Sequence, residues 1–231
     1  MRLTVFNGSP RTRRGNTALL LGDLLGGFVQ TGPHTVEVHY LNNDRRRRAA
    51  AEAFGRSEAV LLAFPLYMHA MPGIVMTWLE LLEPLDPSRQ VRMGCIVQGG
   101  LPEARQSSAV AAFLGRLPGR LGCVPAGTVV RGGVEAMRFA PAFMFRRLRR
   151  HFTTLGRQLG TAGRFDDATI AAVAGHETMP AWRRGLFRIL EVAGLSDRYW
   201  VTTLRENHAL EHCFDRPYAP GSASPTGPGP G

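Results

Sequence analysis

The sequence predicts an α/β protein: a doubly wound, five-stranded parallel sheet with helices on both faces and a helical C-terminal extension. Three observations predict it. Short apolar runs alternate with helix-period stripes along the first 130 residues or so. One run, residues 59–64 (AVLLAF), is apolar on both faces, as in a strand buried in the middle of a parallel sheet. Beyond Arg131 the strand signal stops and only helical patterns follow. Strands separated by helices imply right-handed crossovers and therefore parallel pairing.

The elements follow in order. Residues 3–6 (LTVF) are the first strand, ended by Asn7-Gly8-Ser9-Pro10, and residues 17–29 carry an apolar helical stripe. Residues 35–41 alternate (Val36, Val38, Tyr40) and form the second strand. A helix over 45–54, the third strand over 59–64 and a helix over 73–82 come next. The fourth strand is 93–97, followed by a helix over 103–117 and the fifth strand over 124–130. A long helix over 142–159 closes the sheet, with shorter helices over 166–174 and 182–192. Residues 197–218 hold Tyr199, Trp200, Phe214 and Tyr218, too aromatic for a free tail, and are expected to pack back on the domain. Residues 219–231 are uncharged and rich in Pro and Gly, which predicts disorder. The expected division is thus 1–162, 163–218 and 219–231.

Composition narrows the function. With 231 residues, 44% hydrophobic and 20% charged, the chain is ordinary globular material whose core needs no disulfides. The net charge is +10 and no lysine occurs, so all 28 basic residues are arginine. That removes P-loop, Schiff-base and Ser-Lys mechanisms. Arginine suits forked contacts to phosphate or carboxylate, although an all-arginine set fits a coding bias equally well. The basic balance favours anionic small molecules, nucleic acid or membrane surface. Three cysteines (Cys95, Cys123, Cys213) stand far apart, against a disulfide framework or an iron–sulfur cluster. Residues 59–79 lack Asp, Glu, Lys and Arg, but Pro65, His69, Pro72 and Gly73 divide them, so strand, loop and helix explain them better than a membrane span. With no apolar N-terminal leader, a cytoplasmic protein is expected.

Ligands of doubly wound sheets bind outside the carboxyl ends of the strands, where strand order reverses. Three strand-end loops stand out. The first runs from Asn7 to Thr17 (NGSPRTRRGNT) ahead of a helix N-terminus, which favours an anion; Ser9, Asn16 and Thr17 add donors, Arg11, Arg13 and Arg14 add charge, and Gly15 permits close approach. Its alternative is a helix capped by Asn16 under a solvated Arg-rich loop. The second, Pro65-Leu66-Tyr67-Met68-His69-Ala70-Met71-Pro72-Gly73, carries no charge and suits the edge of a flat heterocycle, or else simply covers the sheet. The third, Gln98-Gly99-Gly100-Leu101-Pro102-Glu103, lets backbone approach a ligand face, or is a plain turn before a helix.

GSPR…GNT, FPLYMHAMPG…W and QGGLPE, in that order over residues 1–130, resemble the flavodoxin-like NAD(P)H-dependent FMN reductase and oxidoreductase family. The stretch Gly132 to Met137 (GGVEAM) and a C-terminal Trp and Arg-Pro-Tyr resemble a subgroup of it. The resemblance implies a flavodoxin-like fold, FMN as cofactor and NADPH or NADH as hydride donor. It implies phosphate contacts by Ser9, Pro10, Arg11, Gly15, Asn16 and Thr17, a ring edge at Pro65, Leu66, Tyr67 and Met68, and a second ring contact at Gln98, Gly99 and Gly100. The acceptor is then a quinone, azo compound, flavin or similar small molecule. No acid–base residue is required of the protein, and Tyr67 and His69 are the side chains placed for substrate contact. The family often dimerises, which would put Met76, Trp78 and Leu79 at an interface.

Competing readings fare worse. A response regulator needs an aspartate ending the third strand, where Phe64-Pro65 stand; a low-molecular-weight phosphatase needs a cysteine in the first loop, which has none. A flavodoxin-type carrier or a non-catalytic flavin binder remains the alternative, but such carriers resemble one another in being acidic, unlike this chain. His208-Ala209-Leu210-Glu211-His212 fits H-x-x-E-H, with both histidines on one helix face, yet no distal ligand exists and no metal is expected. The arginine runs at 45–48 and 146–150 lack interleaved exposed aromatics, so nucleic-acid binding is not expected.

Overall fold

In a computed structural model, described over residues 1–101, 104–138, 140–174, 185, 188–189, 191–192 and 194–216, five strands alternate with helices. The elements are β1 (Arg2–Asn7), α1 (Asn16–Val29), β2 (Thr35–Tyr40), α2 (Asp44–Gly55), β3 (Ala59–Pro65) and α3 (Gly73–Leu79). They continue with β4 (Arg92–Gln98), α4 (Ser108–Arg120), β5 (Val124–Arg131), α5 (Arg146–Ala162), α6 (Asp167–Ala174) and α7 (Leu195–Glu206). Every strand pair is parallel, in the order β2-β1-β3-β4-β5. The chain divides into two units: Met1–Met179 holds the sheet and α1–α6, and Pro180–Gly231 holds α7.

Period-two alternation sends the side chains of the central strands to two cores. In β3, Val60, Leu62 and Phe64 join Phe54 of α2, Trp78 of α3 and Leu114 of α4. Ala59, Leu61 and Ala63 join Leu24 and Phe28 of α1 with Phe152, Leu155 and Leu159 of α5. The two layers explain why 59–64 carries no polar residue. Trp78 is fully buried and packs its ring at a tilt against Phe6, with ring centroids 4.5 Å apart. It is therefore a core residue and not part of any interface, which corrects the sequence expectation; Met76 beside it is half exposed.

Several boundaries differ from expectation for local reasons. The helix expected over 103–117 is a 3₁₀ turn (Ala104–Ser107) followed by α4, which runs on to Arg120 because Pro118 near the end sacrifices few helix bonds. The helix expected over 73–82 ends at Leu79, ahead of the backbone restriction that Pro84 imposes. The long helix begins at Arg146 after a 3₁₀ turn (Ala142–Phe145) and passes Gly160 to stop at Gly163, whose φ of 67° closes it through an N–H bond to Leu159 O at 3.0 Å. The helix expected over 182–192 lies mostly outside the described residues, as do residues 217–231.

Some of the arginine excess is structural. The C-terminal carbonyls of α2 have no basic residue in their own last turn. Arg89 donates to Gly55 O (2.7 Å) and Ser57 O (2.9 Å), and Arg2 donates to Arg56 O (2.8 Å), supplying charge at that negative helix end. Arg149 grips Asp23 through Nε and Nη2, which holds its guanidinium above the usual arginine range and ties α5 to α1.

The α1–α5 contact brings backbone against backbone. A Cβ on Gly156 would overlap Leu24 O, and one on Gly27 would overlap Thr153 O. Gly156→Ala should therefore destabilise the protein by about 1–3 kcal/mol in urea unfolding, although helix propensity alone favours alanine by about 1 kcal/mol. Gly22→Ala, at a helical site with open space, should show only that favourable term. Burial pushes the Cys95 thiol up to about 12 and the Cys123 thiol to about 11. Both stay protonated at pH 8, whereas Cys213 is exposed. A thiol-reactive chromogen at pH 8 should titrate one group in the native protein and three in denaturant.

Candidate functional site

Strand order reverses between β1 and β3: the chain leaves β1 for β2 on one side and returns to β3 on the other. The loops that follow β1 and β3 must therefore diverge, leaving a crevice at their carboxyl ends. A cleft of ≈130 Å³ lies there, lined by Ser9, Arg11, Gly15, Asn16, Pro65, Leu66, Tyr67, Gln98, Gly100 and Glu135.

The floor is set by backbone pairing. Gly8 N–H donates to Ala63 O (2.8 Å) and Leu66 N–H to Gln98 O (2.7 Å), so the three loops leave the sheet at one level. Gln98 Nε2 donates to Thr17 Oγ1 at 3.2 Å in a buried contact, bolting the end of β4 to the start of α1. Asn7 Oδ1 accepts from Ser9 N–H at 2.9 Å and turns the chain sharply out of β1.

The first wall is an uncapped helix end. Gly15 occupies the N-cap and its carbonyl accepts the Ala18 N–H (3.0 Å); among the described residues no side chain caps the helix, and no acid stands in its first turn. Asn16 is the first helical residue rather than the cap, and its Oδ1 is buried with no hydrogen-bond partner among the described residues. A flip of that amide presents an N–H donor at the same place. The N–H groups of Asn16 and Thr17 have no intrahelical acceptor, as at any helix start. Gly15 packs so closely that a Cβ there would stand 2.6 Å from Ser9 Oγ.

The second wall is Pro65, Leu66 and Tyr67. Tyr67 and Ala70 exchange both backbone bonds at 2.9 Å, and Met68 (φ 47°) and His69 (φ 64°) form the two left-handed corners of that turn. Such corners favour Asn and Gly, so the turn gave no sequence signal. The turn carries Met68 outward, 93% exposed and away from the cleft lining. Pro10 is exposed, Thr17 lies beneath the floor, and Gly99 is engaged with Arg131 O at 2.8 Å; these three expected residues do not line the cleft either. Glu135, which sequence reasoning did not single out, does line it, and the GGVEAM stretch was the available signal. Its Oε1 is 3.8 Å from Arg11 Nη1.

No cysteine, histidine or aspartate is among these lining residues, whose polar side chains are Ser9, Arg11, Asn16, Tyr67, Gln98 and Glu135. The H-x-x-E-H segment does not form a helix: α7 ends at Glu206, His208 has a φ of 53°, and His212 bonds Asp215 at 2.8 Å. The expected shared helix face is thus absent. Among the described residues no three His, Cys, Asp or Glu gather as metal ligands, and no helix is long and apolar enough to cross a membrane.

No family model and no curated protein matches the sequence. Solved structures do match the fold. An FMN-dependent NADH-azoreductase from Bacillus anthracis, in complex with FMN, aligns at a TM-score of 0.52 and 10% identity, covering 69% of this chain and 99% of its own. An NAD(P)H:quinone oxidoreductase from Methanothermobacter marburgensis aligns at 0.53 and 16% identity, covering 69% and 96%. An NADH:FMN oxidoreductase in its apo form aligns at 0.53 and 13% identity, covering 78% and 96%. The chain thus has the flavodoxin-like fold, and its structural neighbours include FMN-dependent and NAD(P)H-dependent reductases.

Proposed function

We propose that the protein is an FMN-dependent oxidoreductase that takes reducing equivalents from NADPH or NADH and delivers them to a small acceptor such as a quinone, an azo compound or a flavin. The observation that supports this most is the cleft at the β1/β3 reversal, with an uncapped helix start on one wall and an uncharged aromatic loop on the other. The residues fit a flavin monophosphate. The unpartnered buried amide of Asn16, the Ser9 hydroxyl and the first N–H groups of α1 suit a terminal phosphate, with Arg11 adding charge. Pro65, Leu66, Tyr67 and Gly100 suit the edge of a planar ring. The flavin supplies the two-electron chemistry when bound. The protein's part is to bind, orient and desolvate, and none of the cleft side chains is asked to move a proton.

FMN should bind in preference to riboflavin, which lacks the phosphate. In fluorescence titrations of the apo-protein, Ser9→Ala combined with Asn16→Ala should cost about 1–3 kcal/mol of FMN binding and leave riboflavin binding little changed. Equal affinity of the unaltered protein for both flavins contradicts the phosphate site.

The charge of +10 favours an enzyme that meets anionic nucleotides over an acidic-type carrier. Arg13 rests over the Tyr40 ring, 5.8 Å from its centroid, and Arg14 is exposed on the same loop. Both suit the additional phosphate of NADPH. Anaerobic mixing of FMN-loaded protein with each nucleotide, in the presence of a chelator, should bleach the visible absorption, with NADPH at least as fast as NADH. No bleaching by either nucleotide favours the carrier or a non-catalytic flavin binder; bleaching by NADH alone removes the arginine argument.

A further inference from the structure

Glu135 is held at the cleft by backbone and not by its own side chain. The segments after β4 and β5 are zipped together: Gly99 N–H donates to Arg131 O (2.8 Å), Val134 N–H to Gly99 O (3.1 Å) and Gly133 N–H to Leu101 O (2.8 Å). Val134 is fully buried, and Glu135 follows it at the start of a 3₁₀ turn. A Cβ on Gly100 would stand 3.6 Å from Glu135 Cβ, so the two segments wall the cleft side by side. Arg11 faces it from the loop after β1, on a long side chain that is half exposed. The 3.8 Å ion pair therefore joins two half-exposed side chains, the carboxylate on a backbone-held segment and the guanidinium on a longer stem, in a cleft that also presents Ser9, Asn16, Tyr67 and Gln98.

We propose that Glu135 sets how tightly and how selectively the cleft takes a phosphate monoester, by occupying the Arg11 guanidinium that the phosphate must claim. This rests on the flavin-site reading above. Carboxylate and phosphate are both forked acceptors for guanidinium, so Arg11 can exchange one for the other. A pair exposed to water is weak enough to exchange readily. Once Arg11 has turned to the phosphate, the Glu135 carboxylate is left as a like charge beside it. With salt screening, the like charge beside the phosphate and the broken exposed pair together change a binding constant by roughly threefold to tenfold. A ligand without a phosphate asks nothing of Arg11 and meets no such penalty. Glu135 thus lowers affinity for FMN relative to riboflavin, and it acts through Arg11.

The test is a set of four proteins: the unaltered chain, Glu135→Gln, Arg11→Gln and the double variant. Each is titrated with FMN and riboflavin by fluorescence and with inorganic phosphate by thermal shift. Glu135→Gln should tighten FMN and inorganic phosphate about threefold to tenfold and leave riboflavin unchanged. In the Arg11→Gln background the same change should gain distinctly less, because no ion pair is left for the phosphate to break and only the like charge remains. Weaker FMN binding by Glu135→Gln, an equal shift for riboflavin, or an undiminished gain without Arg11 would each overturn the proposal. FMN bound with no effect of Glu135→Gln sinks the proposal and leaves the flavin reading standing. Failure of every form to bind FMN, with the phosphate gain intact, does the reverse. No binding of either probe by any form removes both.

Discussion

The reversal of strand order at β1 is the constraint from which the rest of the site follows. Because β2 and β3 flank β1 on opposite sides, the chain leaves β1 toward one face and re-enters beyond it at β3. The loops after β1 and β3 turn apart there, so a gap stays open above the paired floor at the carboxyl ends. The helix after β1 then begins at the edge of the gap with its first N–H groups free and its N-cap a glycine. A cleft arises without any side chain having to carve it.

What the side chains add is level and polarity. The Gln98–Thr17 bond and the Leu66–Gln98 and Gly8–Ala63 backbone bonds set three loops from distant parts of the sequence on one floor. That floor is rigid because it continues the sheet, and the two hydrophobic layers clamp the sheet on both faces. The close backbone approach at Gly27 and Gly156 brings α1 against α5, and so orients the same helix whose N-terminus faces the cleft. Packing on one side of the molecule thus positions donors at its end. Charge is distributed accordingly: arginines distant from the cleft close the end of α2 or tie helices together, while Arg11 remains beside it.

Much of this was legible in the sequence, for identifiable reasons. The five strands show because buried parallel strands are apolar runs, and 59–64 could be little else. The first loop shows because Gly, Ser, Asn and Thr between a strand and a helix have few other uses in such number. The burial of Trp78 was misread because a helix that is apolar on more than one side does not declare which side faces the sheet. The turn at Met68-His69 was invisible because its left-handed corners carry residues that rarely adopt them. Glu135 was passed over because it reaches the cleft from the segment after β5, through backbone zipping between segments more than thirty residues apart. The H-x-x-E-H segment misled in the opposite sense: its spacing fits one helical face, yet α7 stops before it.

If this crevice takes FMN, the purified full chain mixed with excess FMN and freed of unbound ligand by gel filtration should reveal it in the visible spectrum of the protein peak. A flavin absorption band should co-migrate with the protein at about one flavin per chain, and none should remain after the same treatment with riboflavin at equal concentration. A protein peak that carries no flavin in either case would contradict FMN binding.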